Sequence, residues 1–399
     1  MTDDLELAEA GGDPSIVAQA DKDLPPVVLQ VLPALVTGGV ERGTVDMAQA
    51  ILEEGAIAIV ASSGGPMVYE LQRSGADHVE LPLDSKNPWR ILSNARKLEE
   101  LIRLRSVSIV HARSRAPAWS AWLATRRTGR AFVTTFHAPY GLKPPIKRLY
   151  NQVMARGDRV ICISHFVAEH VQRNYRVDPA RLRVIPRGVD LERFDPTRIS
   201  AERVIQLAQR WRLPDGVPVI MLPGRLTRWK GAELLLAAAA RLARDREFLL
   251  LLVGSDRNSS LRAELESKAA AFGLGGKFAA VGDCDDMPAA FMLADVVVSA
   301  SLEPEGFGRV IGEAQAMGRP VVAAAHGGAL EQVEDGETGF LFNPGDVESL
   351  AVSLRHALDL PAGARAELAE RAVAHVRAHF SKRLMCRRTL EVYDELLRG

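Results

Sequence analysis

Short apolar runs alternate with longer amphipathic segments along almost the whole chain. The runs are continuous in Val, Ile, Leu, Ala and Phe, which is typical of parallel strands buried on both faces. Parallel strands need long crossover connections, and the segments between the runs have the length of helices. The pattern therefore predicts an α/β protein with doubly wound parallel sheets. The predicted strands are Val27–Leu32, Ala56–Ala61, Val79–Leu81, Ser108–Val110, Phe132–Phe136, Arg159–Ile163, Leu182–Ile185, Val219–Leu222, Leu249–Val253, Phe278–Val281, Val296–Ser299 and Val321–Ala324.

The alternation is interrupted between Pro186 and Pro218, where Pro- and Gly-containing segments flank one charged helix. A chain of 399 residues is long enough for two domains that each bury a core. We therefore predict an N-terminal domain at residues 25–195 and a C-terminal domain at residues 196–380. Apolar spacing predicts a last helix within residues 381–399, and its own sequence does not indicate which domain it contacts.

Charge is balanced overall but unevenly distributed along the chain. The 50 basic and 50 acidic residues cancel, whereas residues 1–24 hold seven acids and one Lys. These residues are predicted to be a disordered acidic leader, because they lack the basic-then-apolar order of a signal peptide. Residues 86–187 hold 21 Lys/Arg against 5 Asp/Glu. This excess indicates either solvated helix faces or a surface for acidic lipid headgroups or anionic glycans.

Cysteine usage and hydropathy narrow the class of protein. The three cysteines, Cys162, Cys284 and Cys386, are scattered, which argues against a disulfide framework or a zinc site and favours a reducing compartment. No segment has the 18 or more uncharged apolar residues typical of a membrane-spanning helix. We therefore predict a cytoplasmic protein.

A glycine turn with two flanking carboxylates carries most of the chemical information. Glu305, Gly306, Phe307 and Gly308 follow a predicted strand and open a helical segment that contains Glu313. The N-terminus of a helix suits an anion such as phosphate, and two fixed carboxylates suit sugar hydroxyls. Two alternatives remain for this motif: an acid/base pair for glycoside hydrolysis, and a plain junction between a loop and a helix.

Two more glycine loops follow predicted strands. Arg225 and Lys230 stand between glycines after the strand Val219–Leu222 and can supply a forked donor and a point charge to a diphosphate. Gly38 and Gly39 precede a helix that has no Asp or Ser at its start to satisfy the free N–H groups, which favours contact with an anion. The alternatives are a solvated charged loop and a tight turn.

Two residues of the N-terminal domain complete the candidate site. His137 stands at the end of a predicted strand, where it could donate to a substrate oxygen or be purely structural. Arg187 follows the last strand of this domain and could reach an anionic ligand. Its alternative role is that of a hinge residue paired with Asp190 or another acid.

Together and in this order, these motifs resemble those of the family-4 retaining glycosyltransferases, and the resemblance extends from about Val27 to Leu397. It implies the GT-B fold of two facing Rossmann-like domains. It also implies that Glu305 holds the transferred sugar and Glu313 the ribose of the nucleotide. Phe307 and Gly308 would then offer backbone N–H groups to that sugar, and Gly306 is expected to belong to the same donor site.

The resemblance gives the remaining residues expected roles. Arg225 and Lys230 match the pair that binds the donor diphosphate, Gly38 and Gly39 match the first-domain glycine loop, and His137 matches a histidine near the anomeric centre. Lys230, Arg225, Glu305 and His137 are accordingly the predicted catalytic residues.

The resemblance also extends to Arg187, which lies in the approach to the hinge and joins the expected donor contacts. The helix within residues 381–399 is expected to cross back to the first domain. A nucleotide-sugar substrate, retention of anomeric configuration, no metal and no other cofactor are further implications. The expected independence of a metal agrees with the absence of an Asp-x-Asp at the end of a predicted strand.

The combined prediction is a metal-independent glycosyltransferase that uses a UDP-, GDP- or ADP-sugar and a glycan or lipid-linked acceptor. Segments near the start resemble lipopolysaccharide-core enzymes, so we expect a role in lipopolysaccharide or envelope polysaccharide synthesis. An amphipathic segment at Pro145–Met154 could contact an anionic membrane or be half-buried, and no nucleic-acid partner is expected. The alternatives are a nucleotide-sugar epimerase or another GT-B enzyme such as a phosphorylase, and a non-catalytic binding protein.

Overall fold

The computed structural model describes residues 25–36, 38–255 and 259–398. The predicted acidic leader at residues 1–24 lies outside the described residues.

A parallel sheet forms the centre of the N-terminal part of the described chain. It has seven strands in the order β3-β2-β1-β4-β5-β6-β7. The strands are β1 Val27–Val31, β2 Ile57–Ser62, β3 Asp77–Glu80, β4 Ile109–Ala112, β5 Ala131–Phe136, β6 Arg159–Cys162 and β7 Leu182–Val184. The helices are α1 Gly39–Glu53, α2 Val68–Arg73, α3 Pro88–Leu104, α4 Arg115–Thr128, α5 Pro145–Asn151 and α6 His165–Tyr175.

Neighbouring residues of these strands belong to different hydrophobic clusters. Val28 and Ile109 pack in one cluster together with Ile51 of α1, whereas Leu29 and Val110 pack in another. Because successive side chains of a strand point to opposite faces, both faces of the sheet are buried. This burial is why the strands appear in the sequence as continuous apolar runs rather than as alternating ones.

A second parallel sheet forms the centre of the C-terminal part. In the described residues it has six strands in the order β10-β9-β8-β11-β12-β13. The strands are β8 Val219–Pro223, β9 Leu249–Val253, β10 Phe278–Ala280, β11 Val296–Ser299, β12 Val321–Ala324 and β13 Phe340–Phe342. The helices that follow α6 are α7 Ala201–Trp211, α8 Ala232–Leu242, α9 Ser259–Ala271, α10 Met287–Leu293, α11 Arg309–Ala316, α12 Ala329–Gln332, α13 Val347–Asp359, α14 Ala362–His379 and α15 Lys382–Arg398.

The predicted fold class is confirmed: two doubly wound parallel sheets follow each other along the chain. The sequence pattern missed one strand, β13. This strand has three residues and pairs only with β12 at the edge of the sheet.

The last helix, α15, returns to the first sheet and packs against α1. Its Tyr393 hydroxyl lies 2.6 Å from Nδ1 of His111, and Nε2 of the same ring lies 2.7 Å from Oγ1 of Thr135. Both rings are buried. Burial lowers the pKa of His111 well below its usual value and raises the pKa of Tyr393, so both stay neutral and rely on each other for hydrogen bonding.

Replacing Tyr393 by Phe should destabilise the protein by about 1–2 kcal/mol, because Nδ1 of His111 then remains buried without a partner. Urea unfolding followed by circular dichroism measures this loss. The matched control is Tyr69→Phe, which removes a hydroxyl from a ring that is 70% exposed. Equal unfolding free energies for the two variants would contradict the proposed importance of the His111 contact.

Candidate active site

The loop between β11 and α11 places two carboxylates on either side of a helix start. Glu305 precedes the helix and Glu313 lies inside it. The residue at the helix start, Gly308, has φ +86°, a left-handed conformation that favours glycine. No side chain caps this end of the helix, so its first N–H groups are available to a ligand.

The loop after β8 brings Lys230 directly to Glu305. Lys230 Nζ lies 2.7 Å from Oε1 of Glu305, and the Ser301 hydroxyl donates to the same oxygen at 2.5 Å. The contact depends on Gly231, which has φ +75° and where a Cβ would lie 1.9 Å from the carbonyl oxygen of Ala300. Two motifs that are about 75 residues apart in sequence thus form one charged centre.

Arg225 of the same loop behaves differently from Lys230. Its side chain is exposed, and within residues 25–36, 38–255 and 259–398 it has no hydrogen bond or ion pair. The structure therefore does not bring Arg225 into contact with the other predicted site residues. Its role toward a diphosphate stays a prediction.

The turn at Gly327 and Gly328 packs against the loop that carries Glu305, here called the carboxylate loop. The N–H of Gly328 donates to the Glu305 carbonyl at 2.9 Å, and Gln332 donates to the Phe307 carbonyl. A Cβ on Gly328 would lie 2.5 Å from Cα of Phe307, so the turn and the loop are in close backbone contact. The loop that carries Glu305 is consequently held at several points rather than free in solvent.

The Phe307 side chain does not face a ligand. It is buried, with its ring centroid 5.6 Å from that of Phe380 in an edge-to-face arrangement. Only the backbone of Phe307 is therefore available for the expected contact with a sugar.

Arginines surround the glycine loop of the first domain. Gly38 begins helix α1 without a side-chain cap, as the sequence indicated. Arg187 donates to the carbonyl of Gly39, and a Cβ on Gly39 would lie 3.1 Å from Nε of Arg309. Arg187 belongs to the first domain and Arg309 to the second, so the start of α1 lies at the contact between the two domains.

Sequence reasoning missed Arg113, a third member of this cluster. It directly follows β4, is 5% exposed, and donates to the Gly43 carbonyl at 2.5 Å. In the described part of the chain no carboxylate lies within 4.0 Å of the Arg113 or Arg187 guanidinium groups, although Arg309 lies 3.7 Å from Glu313. A signal was present, because Arg113 stands at the carboxyl end of a strand as His137 does.

Burial lowers the pKa of the buried arginines in this cluster, and repulsion by neighbouring cations adds to this at Arg187. The pKa of Arg187 is lowered to about 9, first by burial and then by the positive charges of Arg309 and Arg113. Burial also raises the pKa of Glu313, an effect that Arg309 opposes. Arg113 and Arg187, held this close together without a paired acid among the described residues, favour the entry of an anionic ligand.

His137 contacts this cluster through one ring nitrogen. Nη1 of Arg187 lies 3.3 Å from Nδ1 of His137, and an arginine can only donate, so Nδ1 accepts and Nε2 carries the proton. Burial and neighbouring cations lower the pKa of His137 well below its usual value, so the ring is neutral. Among the described residues Nε2 has no partner and is therefore free to donate to a substrate oxygen.

Gly306 connects the second domain to His137. A Cβ on Gly306 would lie 3.1 Å from both the Ala138 Cα and the His137 carbonyl oxygen. The hydroxyl of Ser164 also donates to the Gly306 carbonyl at 2.6 Å. His137, Arg187, Glu305, Lys230 and the two helix starts are thus linked by contacts along the interface between the domains, which we call the cleft.

Neither a metal-binding cluster nor a membrane-spanning helix is found among the described residues. No group of three or more His, Cys, Asp or Glu residues is placed to hold a metal ion. No helix there is long and apolar enough to cross a membrane.

The sequence matches two family descriptions that together cover most of the chain. "Glycosyltransferase Family 4" matches residues 37–193, and "Glycosyl transferases group 1" matches residues 205–375. These matches correspond to the parts of the chain that hold the first and the second sheet.

Relatives and solved structures point to the same class. A D-inositol 3-phosphate glycosyltransferase of Salinispora tropica is 34% identical over 309 residues, which are 72% of this chain and 64% of that protein. The match thus spans less than two thirds of that relative. The crystal structure of a glycosyltransferase from Rickettsia africae has a TM-score of 0.88 and 38% identity, and the match covers 94% of this chain and 99% of that one.

A more distant structure shares the fold. Anabaena HepE in complex with UDP and glucose has a TM-score of 0.80 and 22% identity, over 93% of this chain and 100% of its own. Two parallel-sheet domains around a cleft of this kind define the GT-B class of glycosyltransferases. The chain belongs to the family-4 glycosyltransferases, as its motifs indicated.

The neutral state of His137 predicts a pH effect on stability. Its pKa is lower in the folded than in the unfolded protein, so the unfolded state binds more protons near pH 6 and stability falls as the pH drops through about 6.5. His137→Asn removes this contribution. Between pH 7.5 and 5.5 its free energy of unfolding should fall by about 1 kcal/mol less than that of the wild type, measured by urea unfolding. Equal decreases would contradict a buried, neutral His137.

Proposed function

We propose that the protein is a retaining, metal-independent glycosyltransferase that moves a sugar from a nucleotide-sugar donor to a glycan or lipid-linked acceptor. The observation that carries this proposal is the charged centre of Lys230 and Glu305, which lies next to the backbone contact between Gly306 and His137. A cation and a carboxylate beside an uncapped helix start fit a sugar attached to a diphosphate.

The donor residues take the following roles in this proposal. Lys230 and Arg225 neutralise the diphosphate, while Glu305 and Glu313 accept hydrogen bonds from the sugar and the ribose. The complex of Anabaena HepE with UDP and glucose supports a nucleotide-sugar donor. The remaining proposed donor contacts are Gly38, Gly39, Arg187, Gly306, Phe307 and Gly308.

The reaction we propose is a front-side displacement. The bond between the anomeric carbon and the phosphate oxygen breaks, and the acceptor oxygen bonds to that carbon on the same face. The acceptor proton moves to the departing phosphate oxygen, whose charge Lys230 compensates. Oε1 of Glu305 already accepts from Lys230 and Ser301, which suits an anchor better than a nucleophile. Trapping of a covalent sugar–enzyme adduct in the wild type would contradict this mechanism.

The acceptor is proposed to be part of lipopolysaccharide or another envelope polysaccharide. A phosphorylated cyclitol is a second candidate, because the Salinispora tropica relative is a D-inositol 3-phosphate glycosyltransferase. The arginine cluster of Arg113, Arg187 and Arg309 favours an anionic group on whichever acceptor binds. An epimerase on the same fold would convert the donor without any acceptor, so incubation with donor alone separates the two activities.

Lys230→Ala and Glu305→Ala should each abolish sugar transfer, because each removes one half of the charged centre. The donor is first chosen by thermal shift with UDP, GDP, ADP and their sugars, and transfer is then measured with the labelled sugar nucleotide. Arg228→Ala is the matched control, since Arg228 lies in the same loop but pairs with the exposed Glu233 and Glu264. Full activity in either site variant, with circular dichroism unchanged, would refute the assignment.

We also propose a peripheral contact between helix α5 and the inner face of the cytoplasmic membrane. Ile146 and Leu149 of this helix are 73% and 61% exposed, and Lys147 and Arg148 stand beside them. Exposed apolar side chains flanked by cations suit an anionic lipid surface. The C-terminal part of the predicted amphipathic segment does not take part, because Met154 is buried in the core.

The protein should sediment with vesicles of phosphatidylserine and phosphatidylcholine at low salt and be released at high salt. The double variant Ile146→Glu/Leu149→Glu should lose binding, because it removes the apolar contact and adds repulsion. Val352→Glu is the control, as Val352 is 60% exposed on a helix of the second domain. No sedimentation of the wild type at low salt would end the membrane proposal.

A further inference from the structure

The N-terminus of helix α6 in the first domain is capped by a carboxylate from the second domain. Oε2 of Glu331 accepts from the N–H of His165, and Oε1 accepts from the N–H of Phe166, both at 2.9 Å. These are two of the N–H groups that a helix cannot satisfy internally. A carboxylate here also interacts favourably with the positive end of the helix dipole.

The third N–H of this turn is satisfied within the first domain, by a residue that also contacts the second. Oγ of Ser164 accepts from the N–H of Val167 at 3.1 Å and donates to the carbonyl of Gly306 at 2.6 Å. Ser164 is buried. The start of α6 is therefore bound to the second domain at two separate places.

Within the second domain, Glu331 lies next to residues that hydrogen-bond to the loop of Glu305. Its neighbour Gln332 donates to the carbonyls of Phe307 and Gly328, and Gly328 donates to Glu305. Helix α12 thus contacts the loop of Glu305 from within the second domain and α6 from across the cleft.

We infer that Glu331 is a positioning residue that holds the cleft closed with the Glu305 loop against His137. This inference rests on the proposed function only for its effect on turnover. Glu331 does not contact the charged centre of Lys230 and Glu305, and among the described residues its carboxylate forms no ion pair. Its two side-chain hydrogen bonds are thus both made across the cleft.

We expect the contacts of Glu331 to α6 to be lost when the two domains separate. Separation of the domains breaks both hydrogen bonds from α6 and the one from Ser164 to Gly306. The Glu305 loop keeps its contacts to Gln332, because these lie within the second domain. Loss of Glu331 should therefore shift the protein toward the open form without disturbing the donor loop itself.

The test compares Glu331→Ala, Glu331→Gln and a control, Glu337→Ala, whose carboxylate is 63% exposed and pairs with Arg371 outside the cleft. Small-angle X-ray scattering gives the radius of gyration with and without the nucleoside diphosphate that binds. Calorimetry gives nucleotide affinity, and initial rates give kcat and KM.

Glu331→Ala should bind the nucleotide as the wild type does, contract less, and lose at least about tenfold in kcat/KM, as expected for loss of a hydrogen bond to a charged group. Glu331→Gln should be intermediate, because its amide oxygen can still accept one N–H. The control should match the wild type in every measurement.

The inference would be overturned if Glu331→Ala contracted on nucleotide binding, and turned over substrate, as the wild type does. If Glu331→Ala does not fold, the same outcome in Glu331→Gln overturns it. If the wild type binds no nucleotide, the proposed function fails. The role of Glu331 is then decided by comparing the ligand-free radius of gyration of Glu331→Ala with that of the wild type. A larger value in Glu331→Ala then supports the closing role, and an equal value rejects it.

Discussion

The close contact of Gly306 with the backbone at His137 and Ala138 is the constraint on which the cleft depends. A Cβ at this position would lie 3.1 Å from Cα of Ala138, which is tighter than an ordinary van der Waals contact, so any side chain there would require the two backbones to shift. Because Gly306 directly follows Glu305, the same contact fixes the distance between the carboxylate loop and His137. Ser164 and Glu331 hold this contact from the side of α6.

Electrostatics give the cleft its second property, an affinity for anions. Two uncapped helix starts, at Gly38 and Gly308, meet there. Arg113 and Arg187 are buried in the same region without a paired carboxylate among the described residues. Buried cations of this kind are costly unless an anion compensates them. A diphosphate in the cleft would provide that compensation.

The sequence allowed most of the fold to be predicted, and the reason is burial. Strands covered on both faces must be apolar throughout, so β8, β9 and β11 were visible as continuous runs. The edge strand β13 was missed, and its length is not the reason, because β7 and β10 are equally short edge strands that were predicted. The site loops were predictable for a related reason, as glycines mark places where no Cβ fits. Arg113 was missed because an arginine after a strand is ambiguous until its burial is known.

By itself the sequence determined all the strands but β13, which loops carry glycine and charge, and to which family the chain belongs. These properties depend on residues close together along the chain. The tertiary structure decided which charges meet: Lys230 with Glu305, Arg187 with His137, and Glu331 with the start of α6. It also distinguished Lys230, which forms an ion pair with Glu305, from Arg225, whose side chain is exposed. Such pairs join residues that are far apart in the chain, and only the packing of two sheets around one cleft brings them within hydrogen-bonding distance.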